Sequence, residues 1–168
     1  MTRVLIVDDH AFVRTGLTAL LNAADGIVVV GECADGAEVP CVAPQVRPDV
    51  VLMDVEMPRV CGPDATRTLL IGQSRVRVLM VSASMTPRTL SDAAAAGASG
   101  YLLKGGDPKA LVTAVRTIAA GGTAWPGDPW SPTRAHQPDK LPSEHIRPEA
   151  CVTHSPTTKP LTTRPHLD

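Results

Sequence analysis

Polar side chains able to do chemistry follow four of the five short apolar runs in this sequence. The run VLMDV carries Asp54, an acid among residues that usually fill a buried strand. Because an isolated carboxylate in apolar surroundings is costly to desolvate, it needs either an open position or a cationic partner. The first, fourth and fifth runs end in Asp8 and Asp9, in Ser82, and in Lys104. Together these residues predict a functional site.

The chemistry of this set is phosphoryl transfer to a carboxylate. Asp8, Asp9 and Asp54 would repel one another at a shared edge unless cations neutralise them. Mg2+ prefers hard oxygen ligands, Lys104 offers an ammonium to a phosphoryl oxygen, and Ser82 offers a hydroxyl donor. The set predicts Mg2+-assisted formation of an aspartyl phosphate on Asp54. Taken singly, each residue could equally cap a helix or lie in a turn, so the prediction depends on the whole set.

An α/β fold must position these residues, because short β-branched runs alternate with segments of helical period over 1–121. The runs are largely apolar, as parallel strands covered on both faces should be. The predicted strands are 3–7, 27–33, 50–53, 76–81 and 100–103. The carboxyl ends of parallel strands meet at one edge, where ligands bind. Only the second run brings no polar residue to that edge. Pro40 and Pro44 predict a short or distorted helix over 37–47.

Three helix signals are clear. Thr86 before Pro87 and Asp107 before Pro108 each combine an N-cap residue with proline at the first helical position. The last helix is expected to end at Gly121. The first helix has one apolar stripe, formed by Val13, Leu17, Leu20 and Leu21.

Residues 122–168 differ in character from the rest. They contain nine prolines and only five Leu, Ile or Val, too little apolar surface to offset chain entropy. We therefore expect a disordered tail. Three of its four histidines and its cysteine fit no usual zinc spacing; they are His136, His145, Cys151 and His154.

Composition excludes several classes of protein. The 168 residues carry a formal net charge of −1, so no basic field coats nucleic acid or a membrane. The four cysteines have no C-x-x-C spacing, and we expect them to be small buried or incidental residues. The N-terminus shows neither a signal peptide nor a spanning helix, so we expect a cytoplasmic protein.

Four motifs give the sequence a resemblance to a known family: VDDH at 7–10, VLMDVEMP at 51–58, VSAS at 81–84 and GASGYLLKGGDP at 97–108. Over residues 1–121 the chain resembles the receiver domain of two-component response regulators, and it is most similar to the NarL/FixJ (LuxR-type) regulators. The resemblance implies a flavodoxin-like (CheY-like) doubly wound sheet of five parallel strands. It also implies a sensor histidine kinase as the phosphoryl donor.

The resemblance assigns roles in the phosphorylation site. By this likeness Asp54 is the phosphoacceptor, and Asp9, Asp54 and the backbone carbonyl of Glu56 bind Mg2+ directly. Asp8 is expected to contact the ion through water. The family's lysine position falls at Lys104.

The resemblance also assigns a switch. Ser82 falls at the family's hydroxyl position and Tyr101 at its rotating aromatic position, while Glu56 and Ser84 flank the phosphoryl group. A phosphoryl group on Asp54 would draw the loop at Ser82 inward and let Tyr101 turn in. From the residues alone, Tyr101 could instead fill the core with its hydroxyl at the surface. The face over 86–121 would carry the signal, by homodimerisation or by docking of a protein partner.

Two other functions are weighed against this one. LuxR-type regulators continue into a helix-turn-helix domain, and no such pattern follows Gly122, so DNA binding is not expected unless the chain is a truncated regulator. An aspartate-nucleophile phosphatase of the haloacid dehalogenase kind needs a second acid two residues after Asp8, where this chain has His10. We expect a protein that catalyses only its own phosphorylation and dephosphorylation.

Overall fold

The computed structural model describes residues 1–127, which contain one five-stranded sheet of order β2-β1-β3-β4-β5. All four strand pairings are parallel. The strands are β1 (Thr2–Val7), β2 (Ile27–Cys33), β3 (Val50–Asp54), β4 (Arg77–Ser82) and β5 (Gly100–Leu103). Every predicted strand is present, and the flavodoxin-like, doubly wound order is confirmed.

Five helices cover the two faces of the sheet. They are α1 (Ala11–Asn22), α2 (Val39–Val46), α3 (Gly62–Gly72), α4 (Pro87–Ala95) and α5 (Pro108–Ala119). Successive strand residues point to opposite faces, so Leu5 and Val7 pack toward α2, α3 and α4, while Val4 and Ile6 pack toward α1 and α5. The strands are therefore apolar throughout, and polar residues fall at their ends.

The predicted helix starts at Thr86 and Asp107 are confirmed by their hydrogen bonds. The Thr86 hydroxyl accepts the Thr89 N–H at 3.1 Å, and the Thr89 hydroxyl accepts the Thr86 N–H in return, at 2.9 Å. The Asp107 carboxylate accepts the Lys109 N–H at 2.9 Å. These caps satisfy N–H groups that have no partner within the helix, and they fix where α4 and α5 begin.

Helix α2 is short, as the prolines predicted, but it continues past Pro44. Proline lacks the N–H that would bond the carbonyl one turn earlier, so the helix tolerates it at the cost of one hydrogen bond. The helix ends at Val46, and the next residue, Arg47, has a left-handed φ of 44°. The Arg3 guanidinium donates to the carbonyls of Val46 and Arg47, at 2.7 and 3.1 Å, and so caps the carboxyl end of α2.

Within residues 122–127, Ala124 and Trp125 pack onto the domain. Ala124 is buried and forms a parallel bridge with Gly100 at the start of β5. The Tyr101 N–H donates to the Ala124 carbonyl at 2.9 Å, and the Ala124 N–H donates to the Ser99 carbonyl at 3.0 Å. The folded part thus extends beyond residue 121. The rest of the predicted tail, including its histidines, lies outside the described residues.

The structure bears on two expectations drawn from composition, one about membrane-spanning helices and one about the cysteines. Within residues 1–127, no helix has both the length and the apolar character needed to cross a bilayer. Cys33 is buried, and desolvation, with the nearby Glu38 carboxylate, raises the pKa of its thiol to about 11. Such a thiol stays protonated and unreactive, while Cys41 is exposed. Cys151 lies outside the described residues.

Candidate functional site

The sheet brings Asp8, Asp54 and Lys104 together at its carboxyl edge. The strand order reverses between β1 and β3, which places Asp8 and Asp54 side by side. Lys104 follows β5, and its Nζ lies 2.7 Å from Asp8 Oδ2 and 2.8 Å from Asp54 Oδ2. The two carboxylates are 1% and 4% exposed, whereas the lysine side chain is 20% exposed. One ammonium therefore neutralises two buried acids.

The charges of this cluster are unevenly balanced. Burial raises the pKa of Asp54 above its ordinary value, and the Asp8 carboxylate adds to this, although Lys104 partly offsets both. Burial of Lys104 opposes its charge, but the hydrogen bonds to Asp54 and Asp8 outweigh burial and raise its pKa. Lys104 is thus held as a cation, but its charge does not fully compensate the negative charge of Asp54. The site has capacity for a further cation.

Hydrogen bonds from neighbouring residues fix the backbone that carries Asp8 and Asp9. The His10 N–H donates to Asp8 Oδ1 at 2.8 Å. The Arg14 guanidinium donates to the Asp8 carbonyl at 2.7 Å and to the Glu32 carboxylate at 3.3 Å. These bonds tie the turn at Asp8 and Asp9 to both α1 and β2. This role of Arg14 was not predicted from the sequence, where the only indication of it is the position of Arg14 one helical turn after His10.

The residues at this edge fit a divalent cation. Asp8, Asp9, His10 and Asp54 offer ligand atoms that all lie within 4.8 Å of one another. Asp9 Oδ1 is shielded from solvent and accepts no hydrogen bond, although His10 Nδ1 lies only 2.7 Å away. A buried carboxylate oxygen without a donor is expected where a metal ligand belongs. Three carboxylates form the hard oxygen donor set that suits Mg2+. His10 is a neighbour of the site that sequence reasoning did not assign to it.

The loop after β3 begins directly after Asp54. The Glu56 N–H points at Asp54 Oδ1 across 3.4 Å. Farther along, the N–H groups of Arg59 and Val60 donate to the buried carboxylate of Asp35, which follows β2. No polar residue was predicted at the end of the second strand, so Asp35 was not expected at this edge. This side chain serves the neighbouring loop and not the acidic cluster.

Ser82 lies at this edge, and Tyr101, which starts further back in β5, reaches the edge with its hydroxyl at Ser84. Ser82 ends β4, is buried, and accepts the Ser84 N–H at 3.2 Å. The Tyr101 ring is fully buried, and its hydroxyl donates to the Ser84 carbonyl at 2.8 Å. The alternative that Tyr101 leaves its hydroxyl at the surface is therefore wrong. The Lys104 N–H donates to the Ser82 carbonyl at 2.7 Å, which links this group to the acidic cluster.

Comparison with known proteins agrees with this arrangement. Residues 4–116 match the family described as "Response regulator receiver domain". The response regulator GacA of Pseudomonas viridiflava is 43% identical over 121 residues, which are 72% of this chain and 56% of that protein. The response regulator UvrY of Escherichia coli O6:H1 is 40% identical over 123 residues, with 72% and 56% covered. The chain thus spans about half the length of the curated relatives it matches.

Solved structures show the same fold. A LuxR-family two-component response regulator from Aurantimonas sp. has a TM-score of 0.71 and 37% identity, with 74% of this chain and 89% of that chain covered. The receiver domain of a NarL regulator from Mycobacterium tuberculosis has a TM-score of 0.68 and 34% identity, with 71% and 97% covered. With its acidic edge, its lysine and its sheet order, the chain belongs to the response regulator receiver domain family and is related to GacA-, UvrY- and NarL-type regulators.

Proposed function

We propose that this chain receives a phosphoryl group on Asp54 from the histidine of a sensor kinase and changes conformation in response. The observation that carries the proposal is the contact of Lys104 Nζ with both Asp8 and Asp54 in a buried acidic pocket. A cation placed against two buried acids is a ready partner for the oxygens of an incoming phosphoryl group.

The residues of the acidic site would have separate roles in the transfer of the phosphoryl group. An Oδ atom of Asp54 forms a bond to phosphorus while the bond from phosphorus to the donor's histidine nitrogen breaks, and that nitrogen regains a proton from solvent. Lys104 would move from Asp54 toward a phosphoryl oxygen and stay charged throughout. Asp8, Asp9, Asp54 and the carbonyl of Glu56 would hold Mg2+, which supplies charge stabilisation at the phosphoryl oxygens.

The protonation state of Asp54 bears on its reactivity. Burial raises the pKa of Asp54, and only the ionised carboxylate attacks phosphorus. The Lys104 ammonium opposes this rise in pKa, and we expect the phosphorylation rate to fall as pH is lowered through the raised pKa. Replacing Lys104 would move that fall to a higher pH.

Phosphorylation would be transmitted through the group at Ser82. A dianionic phosphoryl group attracts the Ser82 hydroxyl, which now accepts the Ser84 N–H. Movement of Ser84 would act directly on Tyr101, because the tyrosine hydroxyl donates to the Ser84 carbonyl. The two-state element is thus the loop between β4 and α4, with Tyr101 as its buried support.

The partners follow from the same proposal. A sensor histidine kinase would dock at the acidic edge, and the face formed by 86–121 would contact a second copy or another protein. We propose a cytoplasmic protein that acts on no separate substrate. DNA binding is not part of the proposal, and a phosphatase is not favoured, since His10 is not a carboxylic acid.

Intact-mass analysis would test the phosphoacceptor. Wild type treated with acetyl phosphate and Mg2+ should gain one phosphoryl group, and Asp54→Asn should gain none. Asp49→Asn is a matched control, because Asp49 also accepts a backbone N–H, from Arg3, but at the opposite end of the sheet. Equal modification of wild type and Asp54→Asn would remove Asp54 from its proposed role.

A further inference from the structure

Asp35 is a buried carboxylate that the proposed reaction does not use. It lies just after β2 and is 3% exposed. Its Oδ1 accepts the N–H of Ala37 at 2.8 Å and that of Val60 at 3.3 Å, while its Oδ2 accepts the N–H of Arg59 at 3.0 Å. The Arg59 Nε lies 3.6 Å from Oδ1. The bond from Ala37 is a local cap, but the other contacts reach a different loop.

That loop is the connection from β3 to α3, which leaves the phosphoacceptor. At its start the Glu56 N–H approaches Asp54 Oδ1 at 3.4 Å. At its end the Gly62 N–H donates to the Val55 carbonyl at 3.0 Å, so the loop closes on itself. Asp35 holds two further amides between these points. The carbonyl of Glu56 therefore belongs to a segment fixed on both sides.

Close packing leaves this loop little room to move. A Cβ on Gly36 would lie 2.5 Å from the Val60 carbonyl oxygen and 2.8 Å from the Ala65 Cβ. A Cβ on Gly62 would lie 2.1 Å from the Asp54 carbonyl oxygen. Only glycine lets the two backbones approach this closely at either position. The loop is thus held against both the segment after β2 and the end of β3.

We propose that Asp35 is a positioning residue for Mg2+ binding, because its carboxylate fixes the backbone at Arg59 and Val60 and thereby orients the carbonyl of Glu56. The inference rests on the proposed function, in which that carbonyl is a metal ligand. Groups that hold metal ligands in place typically change metal affinity by about 10–100-fold when they are altered. The outer contact of Arg59 with Glu38, at 3.3 Å between exposed side chains, is worth little by comparison.

A Mg2+ titration of Asp35→Asn tests the inference. The amide NMR signals of Asp8, Asp9 and Asp54 would report the Kd in the full chain. We expect Asp35→Asn to raise the Kd by about tenfold, since asparagine keeps the shape but loses the charge and one acceptor oxygen. The control Asp49→Asn should leave the Kd unchanged, although it alters a similar bond between carboxylate and backbone.

Phosphorylation by acetyl phosphate gives a second readout. Asp35→Asn should need more Mg2+ for half-maximal rate yet reach nearly the wild-type rate at saturation, a pattern that a general loss of stability would not produce. A folded Asp35→Asn protein with the wild-type Kd for Mg2+ would overturn the inference.

Two further outcomes are decisive. Should Asp35→Asn fail to fold, Asp35→Ser replaces it, because serine can still cap the Ala37 N–H but is too short to hold the backbone N–H groups of Arg59 and Val60, and it should raise the Kd by about tenfold. An unchanged Kd in a folded Asp35→Ser protein would then overturn the inference. If wild type itself neither binds Mg2+ nor accepts phosphate, the proposed function fails as well, whereas normal wild type with a normal Asp35 variant removes only the positioning role.

Discussion

Asp35 and Asp54 are two buried carboxylates at the same edge of the sheet, and their surroundings shift their pKa values in opposite directions. Burial works against the charge of both. At Asp35, three backbone N–H donors and the Arg59 guanidinium outweigh burial and lower the pKa. At Asp54, burial outweighs the contact with Lys104 and raises the pKa. Similar solvent exposure of the two carboxylates therefore does not imply an equal role.

The difference separates a structural acid from a reactive one. Asp35 has donors on both oxygens, so its charge is used in holding a loop. Asp54 has one ammonium, shared with Asp8, and one long approach from the Glu56 amide. Asp54, the carboxylate with unmet acceptor capacity, is the one proposed to bind a metal ion and a phosphoryl group.

The largest effect on stability is expected from Lys104→Met. This change leaves Asp8 and Asp54 together without a cation, and should lower the free energy of unfolding at neutral pH by about 3 kcal/mol. Part of the loss should return as the pH is lowered, because Asp54, whose pKa is already raised, then takes up a proton. Urea unfolding of both proteins at neutral pH and in acid measures this. A loss independent of pH would contradict it.

Asp35→Ala should cost less, about 2 kcal/mol, through the unpaired N–H groups of Arg59 and Val60. Its pH dependence should differ from that of Lys104→Met. A lowered pKa stabilises the fold fully above the ordinary aspartate pKa, and this is lost as pH falls through the folded value. The cost should therefore persist at about pH 5 and shrink only in stronger acid. Urea unfolding over this range measures it, and Asp49→Ala is the control.

Asp54→Asn should stabilise the fold by about 1 kcal/mol at neutral pH, because it removes a buried charge and leaves Lys104 paired with Asp8. An acid with a raised pKa favours the folded state when protonated, and this advantage is lost as pH rises from the unfolded to the folded pKa. The gain over wild type should thus vanish on acidification. Thermal melts across pH would show it, and a destabilised Asp54→Asn would refute the contrast with Asp35.

The smallest effect is expected from Tyr101→Phe. The loss of one hydroxyl bond to the Ser84 carbonyl should lower the free energy of unfolding by about 0.5 kcal/mol. Hydrogen exchange should speed up at the amides of 83–86, while those of α3 serve as an internal reference. Unchanged exchange in this loop would show that Tyr101 does not support it.

The part of the site that the sequence predicted follows from one physical rule. Parallel strands end at one edge, so the acids after the first and third runs and the lysine after the fifth had to meet if the runs were strands. Asp8, Asp54 and Lys104 do meet, within 2.8 Å. The starts of α4 and α5 could also be predicted, because Thr86 and Asp107 are capping residues that each precede a proline, which is a local signal.

What the sequence did not predict depends on distant contacts. The partners of Asp35 lie 24 and 25 residues away along the chain, in a loop without periodicity. The passage of α2 through Pro44 depends on packing and on the cap from Arg3. The bridge at Ala124 depends on Gly100, because a residue without a side chain lets the two backbones approach each other. None of these contacts leaves a local pattern.

The bridge between Ala124 and Gly100 has a practical consequence for solubility. Strand β5 lies at the border of the sheet, where free amides and carbonyls invite pairing between molecules. Ala124 covers the first part of that border by accepting the N–H of Tyr101. A version of the domain shortened at residue 121 would uncover this amide and tend to self-associate, whereas one that ends at 127 keeps the start of this border covered.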